Sequence, residues 1–268
     1  MYLLEKTAYS ALLPFLQDHL LTPTFAYSVV HQVIEGEIFV NQRKSPTSMV
    51  IRTQSGIYAV IGLPDEQMAQ WLREHYEGHI QGLKKRFTLF SPSMEWNQLL
   101  EERFKETHQQ VKRLSFSFDP ERFLTQTERR SQSQDRGIPK GYRCYPIDEA
   151  EILQSQEFGM EYYQTYWGGI TAFLKQGLGF CVVHDGQVVS ECTSIFANPV
   201  QAEIDIVTHE QFQGLGLGSS VARVFIEACL ERGITPRWDC TDSNIASRQM
   251  AERLGFVQPK EHTIFAIR

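Results

Sequence analysis

The feature that most constrains this chain is a β-strand that runs into a glycine-rich turn and then into a helix. Residues 204–219 read IDIVTHEQFQGLGLGS, with β-branched residues first and then Gly214, Gly216 and Gly218 in alternation. β-Branched residues favour a strand, and glycines allow the tight backbone turn that must follow it. The stretch therefore predicts an α/β arrangement in which a helix begins directly after the turn.

The helix after this turn is indicated by the spacing of its apolar residues and by the glycine that follows its last turn. Apolar residues recur at helical intervals: Val221, Val224, Phe225 and Ala228. Gly233 follows where a C-terminal cap is expected. The unpaired N–H groups of the first helical turn and of the glycines suit a phosphate or diphosphate. A glycine turn that binds nothing is the alternative.

A second motif follows a short strand of residues 236–240. It consists of Asn244 and Ser247 at the start of a helix that ends in Leu254-Gly255-Phe256. Asn and Ser are also ordinary helix-capping residues, so the pair alone carries little information. The order of strand, glycine turn, helix, strand, Asn-x-x-Ser and helix is the more specific signal.

In these two motifs the sequence resembles the GNAT superfamily of acyl-CoA-dependent N-acyltransferases. The diphosphate loop of that family, Gln/Arg-x-x-Gly-x-Gly/Ala, is matched by residues 213–218, and its second motif by Asn244, Ser247 and residues 254–256. The resemblance covers residues 141–268 and looks closest to the branch that contains zwittermicin A resistance acetyltransferases. It implies an α/β (α+β) fold with a mixed, mostly antiparallel sheet flanked by helices, and acetyl-CoA as co-substrate.

The resemblance also implies which residues bind the coenzyme. The backbone of Ile206, Val207 and Thr208 would bind the pantetheine arm as it would bind an added strand. The diphosphate would lie against the loop residues Gln213, Gly214, Leu215, Gly216, Leu217, Gly218 and Ser219. Asn244 would bond to the pantetheine, with help from Ser247.

Transfer of an acyl group to an amine needs a proton acceptor. Glu203 and Asp205 lie on the strand that leads into the loop and share one face by alternation. They are the candidate catalytic residues, with Glu203 preferred, and Glu191 on the neighbouring strand is a third. A solvated or ion-paired acid is the alternative for each.

Stabilisation of the departing thiolate is less well indicated. Many members of the superfamily carry a tyrosine where this sequence has Ala251. Either another group protonates the thiolate or it leaves unprotonated. Ser247 and the aromatic stretch 162–167 are the alternatives, and the sequence does not choose between them. The aromatic stretch is either core packing or a wall of the amine pocket.

The first half of the chain repeats the order of elements without the glycine turn. Helices and strands alternate over residues 1–126 as in a second α/β domain. The corresponding turn, residues 62–65, has one glycine and a proline, so a degenerate GNAT-like copy without a coenzyme loop is expected. The polar residues 127–140 predict a linker to a catalytic domain of residues 141–268.

Composition limits the class of protein and its partners. Hydrophobic residues make up 42% and charged residues 22%, as in soluble globular proteins. No apolar run reaches the roughly 20 residues of a membrane helix, and no signal peptide is expected. The net charge of −6 argues against nucleic acid and is compatible with a cationic amine. Five cysteines without a C-x-x-C pair predict neither disulfides nor a metal site.

Together these features predict a cytoplasmic N-acetyltransferase of unknown oligomeric state. It would move an acetyl group from acetyl-CoA to a primary amine of a small molecule by direct transfer in a ternary complex. One alternative is a non-catalytic acyl-CoA-binding or regulatory module, because Ala251 occupies the acid position. Another is a dinucleotide site, because Asp239 ends the strand after the glycines. Ser219 in place of a third glycine argues against it.

Overall fold

The computed structural model describes residues 1–267 except residues 20, 84, 106 and 133–136. The chain divides into two compact units, residues 1–114 with 260–268 and residues 115–259. Among the described residues, no helix combines the length and the apolarity that crossing a membrane requires.

Helices and strands follow one another along the whole chain. The first half contains β1 (Tyr2–Leu3), α1 (Leu13–Gln17), α2 (Thr24–Val30), β2 (Gly36–Val40), β3 (Ser48–Thr53), β4 (Ile57–Gly62), α3 (Glu66–His79), β5 (Phe87–Ser91), α4 (Met94–Phe104) and β6 (His108–Phe118). The second half contains α5 (Pro120–Gln132), β7 (Tyr142–Pro146), α6 (Glu149–Gln154), α7 (Met160–Trp167), α8 (Ile170–Gln176), β8 (Gly179–His184), β9 (Gln187–Ala197), β10 (Gln201–Thr208), α9 (Leu217–Glu231), β11 (Thr235–Thr241), α10 (Ile245–Arg253) and β12 (Phe256–Ile267).

The N-terminal unit is a sheet covered by helices. Its strands are ordered β1-β2-β3-β4-β5-β12, and the pairs are antiparallel except for β4 with β5. Helix α3 begins because the Asp65 side chain accepts from the N–H of Met68, and α4 begins because Ser93 accepts from the N–H of Trp96. The apolar faces of both helices pack on the sheet and form the core.

The C-terminal unit is a second mixed sheet. Its strands are ordered β11-β10-β9-β8-β7, and the last residues of β6 lie beside β11. All pairs from β10 to β7 are antiparallel, whereas β10 and β11 are parallel. The apolar stripe of α9 is buried against this sheet: Leu217, Val221, Ala222, Phe225, Ile226 and Cys229. The predicted fold class is therefore confirmed.

The two units have the same order of elements, and each contains one parallel pair of strands. In the N-terminal unit, residues 57–59 of β4 pair with residues 88–90 of β5. In the C-terminal unit, residues 201–203 of β10 pair with residues 235–237 of β11. Strand β10 continues to Thr208, whereas its described pairing with β11 ends at Glu203. The continuation of β10 therefore has an open edge.

The compact units differ from the boundaries expected at residues 126 and 141. Helix α5, which contains the first residues of the expected linker, packs on the C-terminal unit. The N–H of Asp119 donates to the carbonyl of Gly255 at 3.0 Å, and Arg223 donates to Thr127. A Cβ on Gly255 would lie 2.8 Å from Cβ of Phe123. Apolar packing of α5 therefore extends the C-terminal unit, and residues 133–136 lie outside the described residues.

Candidate active site

The glycine-rich turn leaves the N-terminus of α9 open. Gly214 and Gly216 have positive φ angles of 80° and 76°, and Gly216 is the N-cap residue of α9. The described residues provide no side-chain cap at this end, and a Cβ added to either glycine would meet nothing within 4 Å. The first N–H groups of α9, which have no acceptor within the helix, are therefore available to an anion.

A cavity of about 580 Å³ lies beside this turn, between the end of β10 and the start of α10. Eleven of the twelve predicted coenzyme residues line it, all except Leu215. They are Ile206, Val207, Thr208, Gln213, Gly214, Gly216, Leu217, Gly218, Ser219, Asn244 and Ser247. The cavity has the size of a small-molecule site. Two stretches about 30 residues apart in sequence thus meet around one space.

Side-chain contacts hold the turn against β10. Nε2 of Gln213 donates to the carbonyl of Thr208 at 3.2 Å. Oγ1 of Thr208 is hydrogen-bonded to Oγ of Ser190 on β9 at 2.8 Å. A Cβ on Gly218 would lie 3.0 Å from the same Oγ1, so helix α9 approaches β10 closely here. Gln213 therefore shapes the turn as well as lining the cavity.

The start of α10 forms the opposite wall. Oδ1 of Asn244 accepts from the N–H of Ser247 at 3.0 Å and caps the helix, which leaves the Nδ2 donor for a ligand. Oγ of Ser247 accepts from Nε1 of Trp238 at 3.0 Å. Trp238 is buried and lines the same cavity. Sequence reasoning missed Trp238, although its alternation with Pro236 and Cys240 along β11 indicates the buried face.

The two predicted catalytic acids lie on β10 but outside the residues that line the cavity. Glu203 stands opposite Arg237, in the part of β10 that still pairs with β11. Asp205 lies beyond this ladder, and its Oδ2 accepts from the hydroxyl of Tyr162 at 2.9 Å. Burial, and next the Asp205 carboxylate, raise the pKa of Tyr162 well above its usual range. The structure thus joins Asp205 to the aromatic stretch on α7.

Glu191, the third acid, is buried in β9 opposite Val207. Its Oε2 accepts from Oγ of Ser155 at 2.6 Å. Its Oε1 has no hydrogen-bond partner among the described residues. Burial raises the pKa of this carboxyl to about 7, although the Ser155 hydrogen bond opposes the shift. Because of its location, Glu191 therefore changes its protonation state near neutral pH.

Aromatic rings surround Tyr162 on α7. Its ring centroid lies 4.5 Å from that of Phe158 and 4.9 Å from that of Tyr166. Tyr166 in turn makes an edge contact with Phe196 at 5.8 Å. Two of the four aromatic residues in the stretch, Tyr163 and Trp167, are buried in the core, whereas Tyr162 and Tyr166 are only partly covered. No group of three or more His, Cys, Asp or Glu side chains in the described part of the chain could hold a metal ion.

A mixed sheet with a parallel pair that opens beside an uncapped helix is the arrangement expected of an acyltransferase with the two motifs described above. The chain belongs to the GNAT acetyltransferase family, whose profile matches residues 14–265. The match includes the N-terminal half, so the similarity extends well beyond the residues 141–268 that the motifs indicated.

Known relatives agree with this assignment. The chain is 38% identical over 263 residues to YdfB, an uncharacterized N-acetyltransferase of Bacillus subtilis (strain 168), with 98% of this chain and 97% of the relative covered. A GCN5-related N-acetyltransferase-like protein from Streptococcus suis has a TM-score of 0.71 at 24% identity, with 98% of this chain and 100% of that chain covered. A tandem GNAT protein from the clavulanic acid biosynthesis pathway has a TM-score of 0.62 at 12% identity, with 97% and 93% covered. The two solved structures show the shared fold.

Proposed function

We propose that this protein is an acetyl-CoA-dependent N-acetyltransferase that acts on a primary amine of a small molecule. The observation that carries the proposal is the uncapped N-terminus of α9 beside a cavity lined by eleven of the twelve predicted coenzyme residues. A diphosphate needs several N–H donors, which the turn offers, and no Asp or Glu is among the described residues that line the cavity. Membership of the GNAT acetyltransferase family supports the same reaction.

In this proposal the described residues would hold two parts of the coenzyme, the diphosphate and the pantetheine arm. The amides of residues 214–219 would hold the diphosphate, and the open edge of β10 at residues 206–208 would hydrogen-bond the pantetheine amides as a neighbouring strand would. Nδ2 of Asn244 would donate to the same arm. Bound acetyl-CoA supplies the activated acetyl thioester.

Proton transfer in this proposal uses the acids of β10. Glu203 or Asp205 would accept a proton from the substrate's ammonium group, directly or through water, so that the neutral amine attacks the thioester. Asp205 has the better-defined surroundings, because the Tyr162 hydroxyl orients its carboxylate. No cysteine is among the described residues that line the cavity, which favours direct transfer in a ternary complex over an acyl-cysteine intermediate.

A non-catalytic acyl-CoA-binding or regulatory module is the second candidate. The observation in its favour is Ala251, which is fully buried in α10 where many relatives carry a tyrosine. Such a module would bind the coenzyme with the same residues and would release no coenzyme A. Turnover therefore separates the two candidates, whereas binding does not.

The test combines calorimetry with an activity screen. We expect acetyl-CoA to bind, and NAD and ATP not to bind at comparable concentrations. Coenzyme A release is then measured with an alkylamine, a diamine, a polyamine, an amino acid and an aminoglycoside. Binding without release for every amine would favour the regulatory module. No binding of acetyl-CoA would refute the proposal.

A substitution of Gly216 is not a clean test of this site. The residue has a φ angle of 76°, a conformation that costs a β-branched side chain about 1–2 kcal/mol or more. A Gly216→Val variant would therefore lose both coenzyme binding and stability. Ser219, which follows it in the first turn of α9 and is partly exposed, is the better position.

A further inference from the structure

The reaction proposed above generates a thiolate, and the position that often supplies a tyrosine holds buried Ala251. We propose that Ser247 donates a hydrogen bond to the departing sulfur and that Trp238 is the positioning residue that aims it. This inference rests on the proposed function and assigns the leaving-group side of the same site. It chooses between two groups that the sequence leaves open, Ser247 and the aromatic stretch 162–167.

The hydrogen bonds around Ser247 leave one donor for a ligand. Its backbone N–H is taken by Oδ1 of Asn244 at 3.0 Å. Its Oγ accepts the indole N–H of Trp238 at 3.0 Å, so the hydroxyl proton remains to be donated. An accepted hydrogen bond also polarises a hydroxyl and makes it a better donor. Both residues line the cavity, as do Met250 and Val207.

The competing hydroxyls are occupied or lie elsewhere. The Tyr162 hydroxyl donates to Asp205 at 2.9 Å, and Tyr162 is not among the residues that line the cavity. Oγ1 of Thr208 is hydrogen-bonded to Ser190 at 2.8 Å. Ser219 lies in the first turn of α9, at the diphosphate end. Of these hydroxyls, Ser247 is the one that lines the cavity on α10, away from the diphosphate turn, with its proton still to be donated.

The chemical step balances without a change in Ser247. The amine nitrogen forms the C–N bond, the C–S bond breaks, and sulfur leaves with the electron pair as a thiolate. The proton of the amine passes to the base on β10 or to water. A serine hydroxyl is too weak an acid to give its proton away, so Ser247 stabilises the developing negative charge by hydrogen bonding.

The test compares acetyl-CoA with its selenoester analogue, whose leaving group is less basic and needs less stabilisation. With the fastest amine of the panel, we expect Ser247→Ala to lower kcat for acetyl-CoA about 100-fold, as for loss of one donor to a developing anion. The loss with the selenoester should be clearly smaller. Ser243→Ala is the matched control, because Ser243 is exposed, precedes the capping residue and does not line the cavity.

Trp238→Phe keeps the aromatic ring and removes the N–H. This variant should also lower kcat more for acetyl-CoA than for the selenoester, by a smaller factor than Ser247→Ala does. In the double variant it should add little to the loss caused by Ser247→Ala, because both substitutions act through one hydroxyl. Equal losses with the two esters would overturn the inference, since Ser247 would then serve only coenzyme binding. An unchanged kcat in Ser247→Ala would overturn it as well.

Failure of the inference and failure of the proposed function give different results. If the wild-type protein releases coenzyme A but Ser247→Ala is indistinguishable from it, only the role of Ser247 is refuted. If the wild-type protein cleaves neither ester with any amine, the proposed function is refuted and the inference with it. Ser247→Ala keeps the backbone cap from Asn244 but leaves the Trp238 N–H without its acceptor, so thermal unfolding of the variant is measured together with its activity.

Discussion

The two units contain the same strand, turn and helix, and they differ in whether their own side chains close the arrangement. In the N-terminal unit, Asp65 caps α3, and Nε1 of Trp96 donates to the carbonyl of Gly62 at 2.9 Å. In the C-terminal unit, α9 begins at the uncapped Gly216 beside a cavity. The fold supplies the opening between strand and helix, and the side chains decide whether a ligand can use it.

Two corresponding positions show how few side chains separate the closed arrangement in the N-terminal unit from the open one in the C-terminal unit. Trp96 lies three residues after the cap Ser93, and Ser247 lies three residues after the cap Asn244. The indole of Trp96 is fully buried in the N-terminal unit, whereas the Ser247 hydroxyl reaches the cavity wall. At this position of the helix the N-terminal unit therefore has a large side chain that fills the core, and the C-terminal unit has a small one beside the cavity.

The third strand of each sheet differs as well. The middle of β3 buries apolar side chains, Met49, Val50 and Ile51. The middle of β9 buries polar ones: Ser190, Glu191, Thr193 and Ser194. Buried polar groups lower stability unless they are paired, so the polar residues of β9 are expected to stabilise their unit less than the apolar residues of β3 stabilise theirs.

The strongest prediction concerns Trp96, which closes the N-terminal turn. Trp96→Ser should lower the free energy of unfolding by about 4 kcal/mol, because a large buried side chain is lost and the Gly62 carbonyl loses its partner. Urea unfolding measures this, with the exposed Met94→Ser as control. Coenzyme binding should not appear in the N-terminal unit, because Asp65 still caps α3. A destabilisation below about 1 kcal/mol would contradict the closing role of the indole.

The second prediction concerns the buried carboxyl of β9. The native pKa of Glu191 is about 7 and its ordinary value is 4.5, so the folded protein binds more protons between these values. Stability should therefore fall as pH rises from about 4.5 through 7, by about 3 kcal/mol in total. Glu191→Gln, which mimics the protonated acid, should remove this loss.

Unfolding free energies at pH 5 and pH 8 measure the difference. Wild type and Glu191→Gln should be similar at pH 5, and the variant should be the more stable at pH 8. The exposed Glu149→Gln provides the control for a surface charge. An identical pH dependence in Glu191→Gln and wild type would show that Glu191 does not titrate in this range.

The third prediction separates anion binding from folding at the open turn. Ser219→Glu places a carboxylate in the first turn of α9, where it suits the helix dipole but repels a diphosphate. Affinity for acetyl-CoA should fall about 100-fold, since two like charges about 5 Å apart repel by about 3 kcal/mol near a protein surface.

Calorimetry measures the affinity, and thermal unfolding should show unchanged or slightly raised stability. Ser219→Gln, of nearly equal size and without charge, should keep most of the affinity. If the glutamate and glutamine variants lose affinity equally, steric exclusion rather than charge is responsible, and the diphosphate assignment of this turn is weakened.

The smallest expected effects concern the two helix caps. Asp65→Ala and Asn244→Ala each remove a side chain that accepts a backbone N–H, and each should cost about 1 kcal/mol of stability. Only Asn244→Ala should also weaken acetyl-CoA binding, because only its helix start borders the cavity. An affinity loss in Asp65→Ala would indicate that the N-terminal unit contributes to the coenzyme site.

Much of the site was predictable because it depends on local sequence. Gly214 and Gly216 adopt the positive φ that only glycine takes readily, and Asn244 caps its helix through a residue three positions away. The contact between Tyr162 and Asp205 joins residues 43 positions apart, and no pattern in either segment indicates it. Helix α5 shows the same limit, since Phe123 packs against Gly255, more than 100 residues later in the chain.

By itself the sequence determined the order of strands and helices around the glycine turn, and that this turn has no side chain to block it. These properties depend on backbone preferences and on neighbours within a helical turn. Only the tertiary structure decided that β10 and β11 part after three residue pairs, that Glu191 is buried with an unpaired oxygen, and that Trp238 meets Ser247. Burial and distant contacts depend on how whole elements pack, and packing is a property of the folded chain.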